Sequence, residues 1–324
     1  MSIYRTLKGY SVKAIADDPD NVKEGQIWYE STEEVIKLAP NIGAWASGGN
    51  LATARAQGGS SGSTQNDALF AGGYVAPAGT ALTEEYDGLS WTSGGNLNTA
   101  RYRLAGASFA PQTAGLVFGG RTSTDMNETE EYNGTSWSEQ NNLSTARRAL
   151  AGAGIQTSAI AVGGEASGGA ATEEYDGSSW TGGGDYPNSS IGLGSFGATG
   201  TSAIAIAGAD AVAAGQTRGA IYDGSSWTAI SAIPVGRTYM AGFGPTASGM
   251  IAGGQSGPGS AISNATSYDG TNWTVQNSLA TARYYNGGGG SSGTSGVVFG
   301  GLTPATNATE EFTEAGTIKV ITDS

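Results

Sequence analysis

The sequence predicts an all-β protein, a six-bladed β-propeller with four-stranded antiparallel blades. Six tryptophans recur along the chain at intervals of 46, 46, 43, 47 and 46 residues. Each interval holds four segments of strand length separated by Gly, Asn and Asp, and no stretch has the apolar period of a helix. Four strands per repeat, arranged radially, make a propeller blade. The repeated tryptophans are Trp45, Trp91, Trp137, Trp180, Trp227 and Trp273.

The four segments of the repeat are marked by different residues. An arginine opens the first segment, and a Gly pair ends the second. The third segment reads Thr-Glu-Glu followed by an aromatic residue, and an Asp-Gly or Asn-Gly turn suited to a tight hairpin separates it from the fourth, which starts at the tryptophan. The repeated arginines are Arg55, Arg101, Arg147, Arg237 and Arg283. The aromatic residues are Tyr86, Tyr132, Tyr175, Tyr222, Tyr268 and Phe312.

The fourth repeat departs most from this pattern. Its first segment, near Ile191, has no arginine, and Gly219-Ala220-Ile221-Tyr222 stands where repeats 1, 2 and 3 have Thr-Glu-Glu-Tyr; the fifth repeat keeps its arginine but also lacks the two acids before Tyr268. We expect this repeat to keep its place in the fold. Any surface built from the repeated Arg and Glu side chains should be interrupted there.

The order of the segments predicts how the ring closes. Trp45 precedes the first arginine, whereas the last third segment, 309–312, has no tryptophan behind it. The strand around Trp45 should therefore complete the last blade, which pairs the chain ends and removes two exposed edges. These boundaries give an N-terminal anchoring segment with a β-hairpin at residues 1–40, a propeller at 41–313 and a C-terminal tail at 314–324.

Composition narrows the classes of function. Lys plus Arg is 15 and Asp plus Glu is 28, so the net charge of −13 makes nucleic acid an unfavourable partner. The chain has no Cys and no His, which removes thiolate nucleophiles and the commonest base and metal ligand. No apolar run reaches the ~18 residues of a membrane span. We predict no catalytic, cofactor-binding or metal site, although a glycosidase, which needs only two carboxylates, stays open.

The repeated side chains have a structural interpretation. A catalytic pair normally occurs once, so Arg and Glu that recur at equivalent positions of most blades predict ion pairs and hydrogen bonds within blades. The tryptophans are expected to pack as wedges between blades rather than to serve as sugar platforms. Tyr102 and Tyr284 stand outside the repeated positions and are our candidates for ligand-facing residues.

The order Arg, Gly pair, Tyr and then Trp about five residues later resembles the kelch motif. The resemblance covers roughly residues 45–312 and implies four-stranded antiparallel blades around a central channel. Galactose oxidase shares that fold. Its copper site needs His ligands and a Cys cross-linked to Tyr, and this sequence has neither His nor Cys.

The segment Glu24-Gly25-Gln26-Ile27-Trp28-Tyr29 resembles the leader of structural proteins of tailed bacteriophages, especially marine ones. The resemblance implies a non-catalytic virion protein, a tail fibre or capsid-associated component, made in the host cytoplasm and carried on the extracellular particle. Residues 1–40 would contact other virion proteins, and the propeller would meet a host glycan or receptor, in a homo-oligomer. A free carbohydrate-binding lectin with one site per blade and a propeller glycosidase are the alternatives.

Overall fold

A computed structural model describes residues 4–7, 10–16, 27–32, 34–38, 43–165, 169–210, 215–302, 304–314 and 319–321. The chain divides into two compact units, Trp45–Phe312 and a second unit of Met1–Ala44 with Thr313–Ser324. The first three residues of the leader, 24–26, lie outside the described residues. Strands are numbered β1 to β31 in chain order.

The smaller unit holds one five-stranded sheet of order β1-β2-β3-β4-β31. The predicted hairpin is confirmed, because β3 and β4 pair antiparallel with Ile27 opposite Leu38. The sequence did not predict β31, a C-terminal strand that pairs antiparallel with β4. The five strands are β1 Tyr4–Leu7, β2 Tyr10–Ile15, β3 Ile27–Glu30, β4 Val35–Leu38 and β31 Lys319–Ile321.

The larger unit is a six-bladed propeller, as predicted. The first three blades are formed by β6 Gly59–Thr64, β7 Asp67–Ala71, β10 Thr83–Tyr86 and β11 Trp91–Ser93 (blade 1), by β12 Ala105–Gly106, β13 Leu116–Phe118, β14 Thr129–Tyr132 and β15 Trp137–Gln140 (blade 2), and by β16 Ala151–Ile155, β17 Ser158–Val162, β18 Thr172–Tyr175 and β19 Trp180–Gly182 (blade 3). Two short strands, β8 Tyr74–Val75 and β9 Ala78–Gly79, form a hairpin in a loop of blade 1, and a 3-10 turn spans Gln112–Ala114.

The other three blades follow the same plan. They are formed by β20 Gly194–Thr199, β21 Ser202–Ile206, β22 Gly219–Tyr222 and β23 Trp227–Ile230 (blade 4), by β24 Ala241–Phe243, β25 Gly249–Ala252, β26 Ala265–Tyr268 and β27 Trp273–Gln276 (blade 5), and by β28 Gly287–Ser292, β29 Ser295–Phe299, β30 Thr309–Thr313 and β5 Ala44–Ser47 (blade 6).

Blade 6 is closed by the N-terminal strand β5, which confirms the predicted closure. Trp45 packs on Phe312 with ring centroids 5.1 Å apart, and its indole N–H donates to the Asn277 carbonyl at 2.8 Å. The first strands of the six blades contact one another in a closed circle around the axis. Small residues such as Gly152, where a Cβ would collide with the Gly106 carbonyl, let these strands approach closely.

The tryptophans pack between blades, as predicted. Trp180, for example, lies 4.8 Å from Phe118 of blade 2 and 5.0 Å from Tyr175 of its own blade, between ring centroids. Its indole N–H donates to the Thr129 hydroxyl of blade 2 at 2.9 Å. The same bond to the threonine of the preceding blade is made by Trp91, Trp137 and Trp227. The first residue of the Thr-Glu-Glu segment therefore anchors the next blade's tryptophan.

The first glutamate of that segment pairs with the arginine of its own blade, as predicted. Arg147 and Glu173 are both buried, with 2.9 Å between guanidinium Nη2 and carboxylate Oε1. The other carboxylate oxygen accepts from the Ser144 backbone N–H at 2.8 Å. Arginine burial would cost several kcal/mol without such partners. The equivalent ion pairs are Arg55–Glu84, Arg101–Glu130 and Arg283–Glu310.

The second glutamate corrects our expectation that all repeated acids pair within a blade. It accepts a hydrogen bond from the tyrosine hydroxyl of the next blade, at 2.9 Å for Tyr175 to Glu131. The glutamate side chain points to the blade face opposite that of its neighbour, because successive residues of a strand alternate. The equivalent bonds join Tyr86 to Glu311, Tyr132 to Glu85 and Tyr222 to Glu174.

In blade 4, both members of the buried Arg–Glu ion pair are replaced by neutral residues. Ser190 stands at the arginine position and Ala220 at the glutamate position, and both are buried. Tyr186, which occupies the position of a leucine in blades 1 to 3, is also buried. Its hydroxyl donates to the Ala205 carbonyl at 3.4 Å. The equivalent carbonyl in blade 1 is that of Phe70, which accepts a hydrogen bond from Arg55. The tyrosine thus fills the space and keeps one hydrogen bond of the missing arginine.

We expect Tyr175→Phe to lower the free energy of unfolding by about 1–2 kcal/mol, because it removes a charge-assisted hydrogen bond between blades. Tyr268→Phe is the matched control, because Ile221 stands where Glu131 would be and offers no acceptor. Urea unfolding of both variants beside the parent protein measures the difference. Equal losses for the two variants would contradict the role given to the Tyr–Glu bond.

The same bonds predict a loss of stability at alkaline pH. Burial, and then the hydrogen bond to Glu85, raises the pKa of Tyr132 to about 12, and burial with Glu174 does the same for Tyr222. The folded state therefore holds these protons more tightly than the unfolded chain, whose tyrosine pKa is about 10. Stability should be intact below pH 10 and fall as pH rises toward 12. Urea unfolding at pH 9 and pH 11.5 should show a smaller fall for Tyr132→Phe than for the parent protein.

Candidate functional site

Most arginines and tyrosines that stand outside the repeated positions lie at one face of the propeller. Within residues 45–312 there are nine arginines and no lysine, and five of the nine are the buried repeat residues. The rest, and the tyrosines outside repeated positions other than the buried Tyr186, lie either just before a first strand or in the loop after a second strand. These points lie at one face, because the two strands are antiparallel. The residues are Arg103, Arg121, Arg148, Arg218, Tyr74, Tyr102, Tyr239, Tyr284 and Tyr285.

Short backbone bridges hold this face together. Tyr102 bridges to Arg121, Arg148 to Glu165 and Tyr284 to Leu302, each joining the start of a first strand to the loop after a second strand. The loops that differ most between repeats are therefore fixed next to the axis. We call this surface the mouth face.

A closed ring of backbone hydrogen bonds surrounds the axis at the mouth face. One residue of each blade donates its N–H to the carbonyl of the corresponding residue in the preceding blade, over distances of 2.7 to 3.0 Å. Each residue also accepts from the following blade, so the ring consumes all six N–H groups and all six carbonyls. We call these residues the mouth ring. They are Gln57, Arg103, Ala149, Gly192, Tyr239 and Tyr285.

Every residue of the mouth ring has a left-handed backbone. The φ angles are 64° at Gln57, 57° at Arg103, 54° at Ala149, 56° at Tyr239 and 56° at Tyr285, whereas only Gly192 is a glycine. A left-handed conformation costs a residue with a side chain about 1 kcal/mol or more relative to glycine. Side chains kept at such positions point to a role for those side chains.

The side chains of the mouth ring differ around the axis. Blades 3 and 4 contribute Ala149 and Gly192, which leave their side open, whereas the other four blades contribute long side chains. The Tyr239 and Tyr285 rings lie 4.0 Å apart between centroids. The Tyr239 ring lies against Gly192, where a Cβ would overlap it. Glycine at that position is therefore needed both for its φ of 63° and for the tyrosine.

The charges around the mouth ring are largely compensated. The Arg103 guanidinium lies 5.6 Å from the Tyr285 ring centroid and 3.7 Å from a Glu165 carboxylate oxygen. Arg148 contacts Asp125 at 2.6 Å and Glu165 at 2.7 Å. These two acids hold the pKa of Arg148 above its usual value although burial opposes the shift. Burial, followed by the neighbouring Tyr239, raises the pKa of Tyr285 far above its usual range, so the Tyr285 hydroxyl stays protonated.

Below the mouth ring, the channel contains a cavity of about 110 Å³. Its wall is formed by the mouth ring, by the first strands of blades 1 to 5 and by Asn286 of blade 6, and none of the lining residues is Asp or Glu. Three lining residues have buried oxygen atoms without a hydrogen-bond partner in the protein, the Gln57 Oε1, the Ser108 hydroxyl and the Asn286 Oδ1, and the Nε of the lining Arg103 is a buried donor without a partner. Ser108 is 5% and Asn286 9% exposed.

The predicted ligand-facing residues both lie at the mouth face. Tyr102 is half-buried, with its ring centroid 5.3 Å from that of Tyr74 and 5.9 Å from the Arg121 guanidinium carbon. Tyr284 is half-buried and lies 5.2 Å from Tyr285 between centroids. The two tyrosines stand on blades 2 and 6, so they belong to one surface but not to one cluster.

The sequence interpretation missed the mouth ring itself. Its residues stand two positions after each repeated arginine, and this position holds Gln, Arg, Ala, Gly, Tyr and Tyr in the six repeats. The position before it varies as much, from Ala56 to Tyr284, so no sequence signal singles out the ring position.

Among the described residues, no three acids are grouped in the manner of a metal-ligand set. In the same part of the chain, no helix combines the length and apolar character of a membrane span.

Comparisons with known proteins support the fold alone. No protein-family model matches the sequence, and no curated protein matches it. Among solved structures, 268 chains match, so the architecture is widely shared. The structure titled "Structure of YjhT" superposes with a TM-score of 0.63 at 13% sequence identity, covering 84% of this chain and 99% of that one. At that identity the similarity does not select an activity.

Proposed function

We propose that the protein is a non-catalytic binding module of a bacteriophage virion, and that the mouth face binds a saccharide on the host surface. The observation that carries this proposal is the mouth ring, where four long side chains are kept on left-handed backbone. Tyrosine rings beside hydrogen-bonding groups are suited to sugars, which present apolar C–H faces and polar hydroxyls.

The cavity supports binding rather than hydrolysis. Glycoside hydrolysis needs a pair of carboxyl groups about 5–10 Å apart around the scissile bond. The cavity wall has no Asp or Glu, and the nearby acid Glu165 is engaged by Arg148. The virion role rests on the kelch-like repeat and the leader at residues 24–29. In this proposal residues 1–40 attach the protein, as a homo-oligomer, to other particle proteins, and Tyr102 and Tyr284 extend the contact with the host.

A glycan library and intact host cells test the binding role. The purified protein should bind both, and Tyr285→Ala should weaken binding at least about tenfold, because a central aromatic contact is lost. Alanine is compatible with this backbone, since Ala149 adopts a φ of 54° at the same ring position. Leu89→Ser is the control, because Leu89 is 82% exposed in a turn at the opposite face. Absence of binding to every glycan and to host cells would refute the binding role.

The virion role has a separate test. Purified particles should contain the protein in fixed stoichiometry, and an antibody against it should label one part of the particle. Its absence from purified particles would refute the virion role, and saccharide binding by the isolated protein would then favour a free lectin.

A further inference from the structure

The wall of the cavity under the mouth ring has three buried oxygen atoms without a hydrogen-bond partner, Gln57 Oε1, Ser108 Oγ and Asn286 Oδ1, and one unpaired donor, Arg103 Nε. The Asn286 amide nitrogen donates to the Ala252 carbonyl at 3.2 Å, which fixes the orientation of the amide and leaves its Oδ1 without a partner. The Ser108 hydroxyl is also unpartnered. A buried acceptor without a hydrogen bond is unfavourable. A molecule that donates hydrogen bonds inside the cavity would remove that cost.

The charged residues near the cavity indicate which chemical class of ligand would bind there. Arg103 is the single charged residue in the wall, and Glu165 lies 3.7 Å from its guanidinium. A carboxylate or sulfate ligand could accept a hydrogen bond from Arg103 Nε, but it cannot donate to the three unpaired oxygen atoms. An ammonium group could donate, but Arg103 would repel it. Neutral hydroxyl groups satisfy the acceptors without either penalty.

The size of the cavity limits what enters. A cavity of about 110 Å³ holds on the order of ten water molecules, since each needs roughly 10–15 Å³ of such space. It takes most of one sugar ring and excludes an oligosaccharide. The rest of the ring would lie against Tyr239 and Tyr285, and the open side at Ala149 and Gly192 provides the entry.

We infer that the propeller binds one neutral, hydroxyl-rich sugar residue per chain, on the axis, with its hydroxyls bonded to the unpaired polar atoms of the cavity wall. This inference rests on the proposed saccharide-binding function and makes it specific. It differs from a lectin with one shallow site per blade, because the axis of the ring offers a single position.

Titration of the full chain with simple sugars tests the inference. The probes are methyl α-D-mannopyranoside, methyl β-D-galactopyranoside and N-acetylglucosamine, with methyl β-D-glucuronide as the anionic comparison. We expect at least one neutral probe to bind with one site per chain, and at least tenfold more tightly than the anionic probe.

Two variants locate the site. Ser108→Ala should weaken binding about threefold to tenfold, the effect of one lost hydrogen bond, while the protein unfolds at an equal or higher temperature. Ser61→Ala is the matched control, because Ser61 is also a buried, unpartnered serine of a first strand but does not line the cavity. Ala149→Gln should block the entry, and Gln57 shows that this backbone position accepts glutamine.

The outcomes separate this inference from the proposed function. Glycan or cell binding that is unchanged in Ser108→Ala and Ala149→Gln, that prefers the anionic probe, or that uses several sites per chain overturns the axial site and leaves the binding role intact. Absence of any saccharide or cell binding overturns both.

Discussion

Glu173→Ala is expected to lower the free energy of unfolding by about 3–5 kcal/mol, because it leaves the buried Arg147 guanidinium without its counter-charge. Arg147 is 1% exposed, and its remaining hydrogen bonds go to the Gly163 and Ala171 carbonyls. The substitution also removes the carboxylate oxygen that accepts a hydrogen bond from the Ser144 backbone N–H. Urea unfolding of the parent protein and the variant measures the loss.

The control for this prediction is an ion pair at the surface. Arg218 and Asp210 form one in which the arginine side chain is 41% exposed. Asp210→Asn should change the free energy of unfolding by less than about 1 kcal/mol, because solvent screens the charges. A loss as large as that of Glu173→Ala would show that burial does not determine the effect.

Blade 4 supplies a rescue for the same variant. Its Tyr186, Ser190 and Ala220 occupy the positions of Leu143, Arg147 and Glu173. Introducing all three blade 4 residues into blade 3 should recover most of the stability lost in Glu173→Ala, because no buried charge is left and the tyrosine fills the space. A buried ion pair can be exchanged for neutral packing without net loss. Failure of the triple variant to improve on Glu173→Ala would contradict this account of blade 4.

The blades show why the fold could be predicted from the sequence. Each conserved-spacing residue of the repeat makes one specific contact, and each contact needs a matching residue elsewhere in the same or the next blade. Thr172 binds the Trp227 indole, Glu173 binds Arg147 and Glu174 accepts from Tyr222. In blade 4, all three residues of the segment change together. Such linked contacts keep residue types at fixed spacing, which is what a repeat pattern detects.

The same logic explains what the sequence could not predict. The mouth ring is held by backbone hydrogen bonds, which any residue type can make, so its side chains vary freely from Gln57 to Tyr285. The direction of the second glutamate toward the next blade also depends on the radial packing, which spacing alone does not contain. The strand β31 escaped prediction because three residues, Lys319–Ile321, give too short a pattern.

Removing residues 1–47 is expected to destabilise the propeller by about 5 kcal/mol or more and to expose a sheet edge. This deletion takes away β5 and with it the Trp45 packing on Phe312, which is itself fully buried. Loss of a packed tryptophan typically costs about 3–5 kcal/mol, and each lost ladder hydrogen bond adds about 1 kcal/mol. Strand β30 would become an unpaired edge, which promotes association between chains.

A shorter deletion of residues 1–42 isolates the contribution of the closing strand, because it retains Ala44–Ser47. Its propeller should unfold close to the temperature of the full chain, whereas the longer deletion should unfold much earlier and elute as larger species in size-exclusion chromatography. A synthetic peptide of residues 43–50 added to the longer deletion should raise the unfolding temperature with peptide concentration, because it binds only the folded ring. Equal stability of the two deletions would mean that β5 does not close the ring. Recovery by the peptide would show that the ring is completed by strand pairing rather than by chain connectivity.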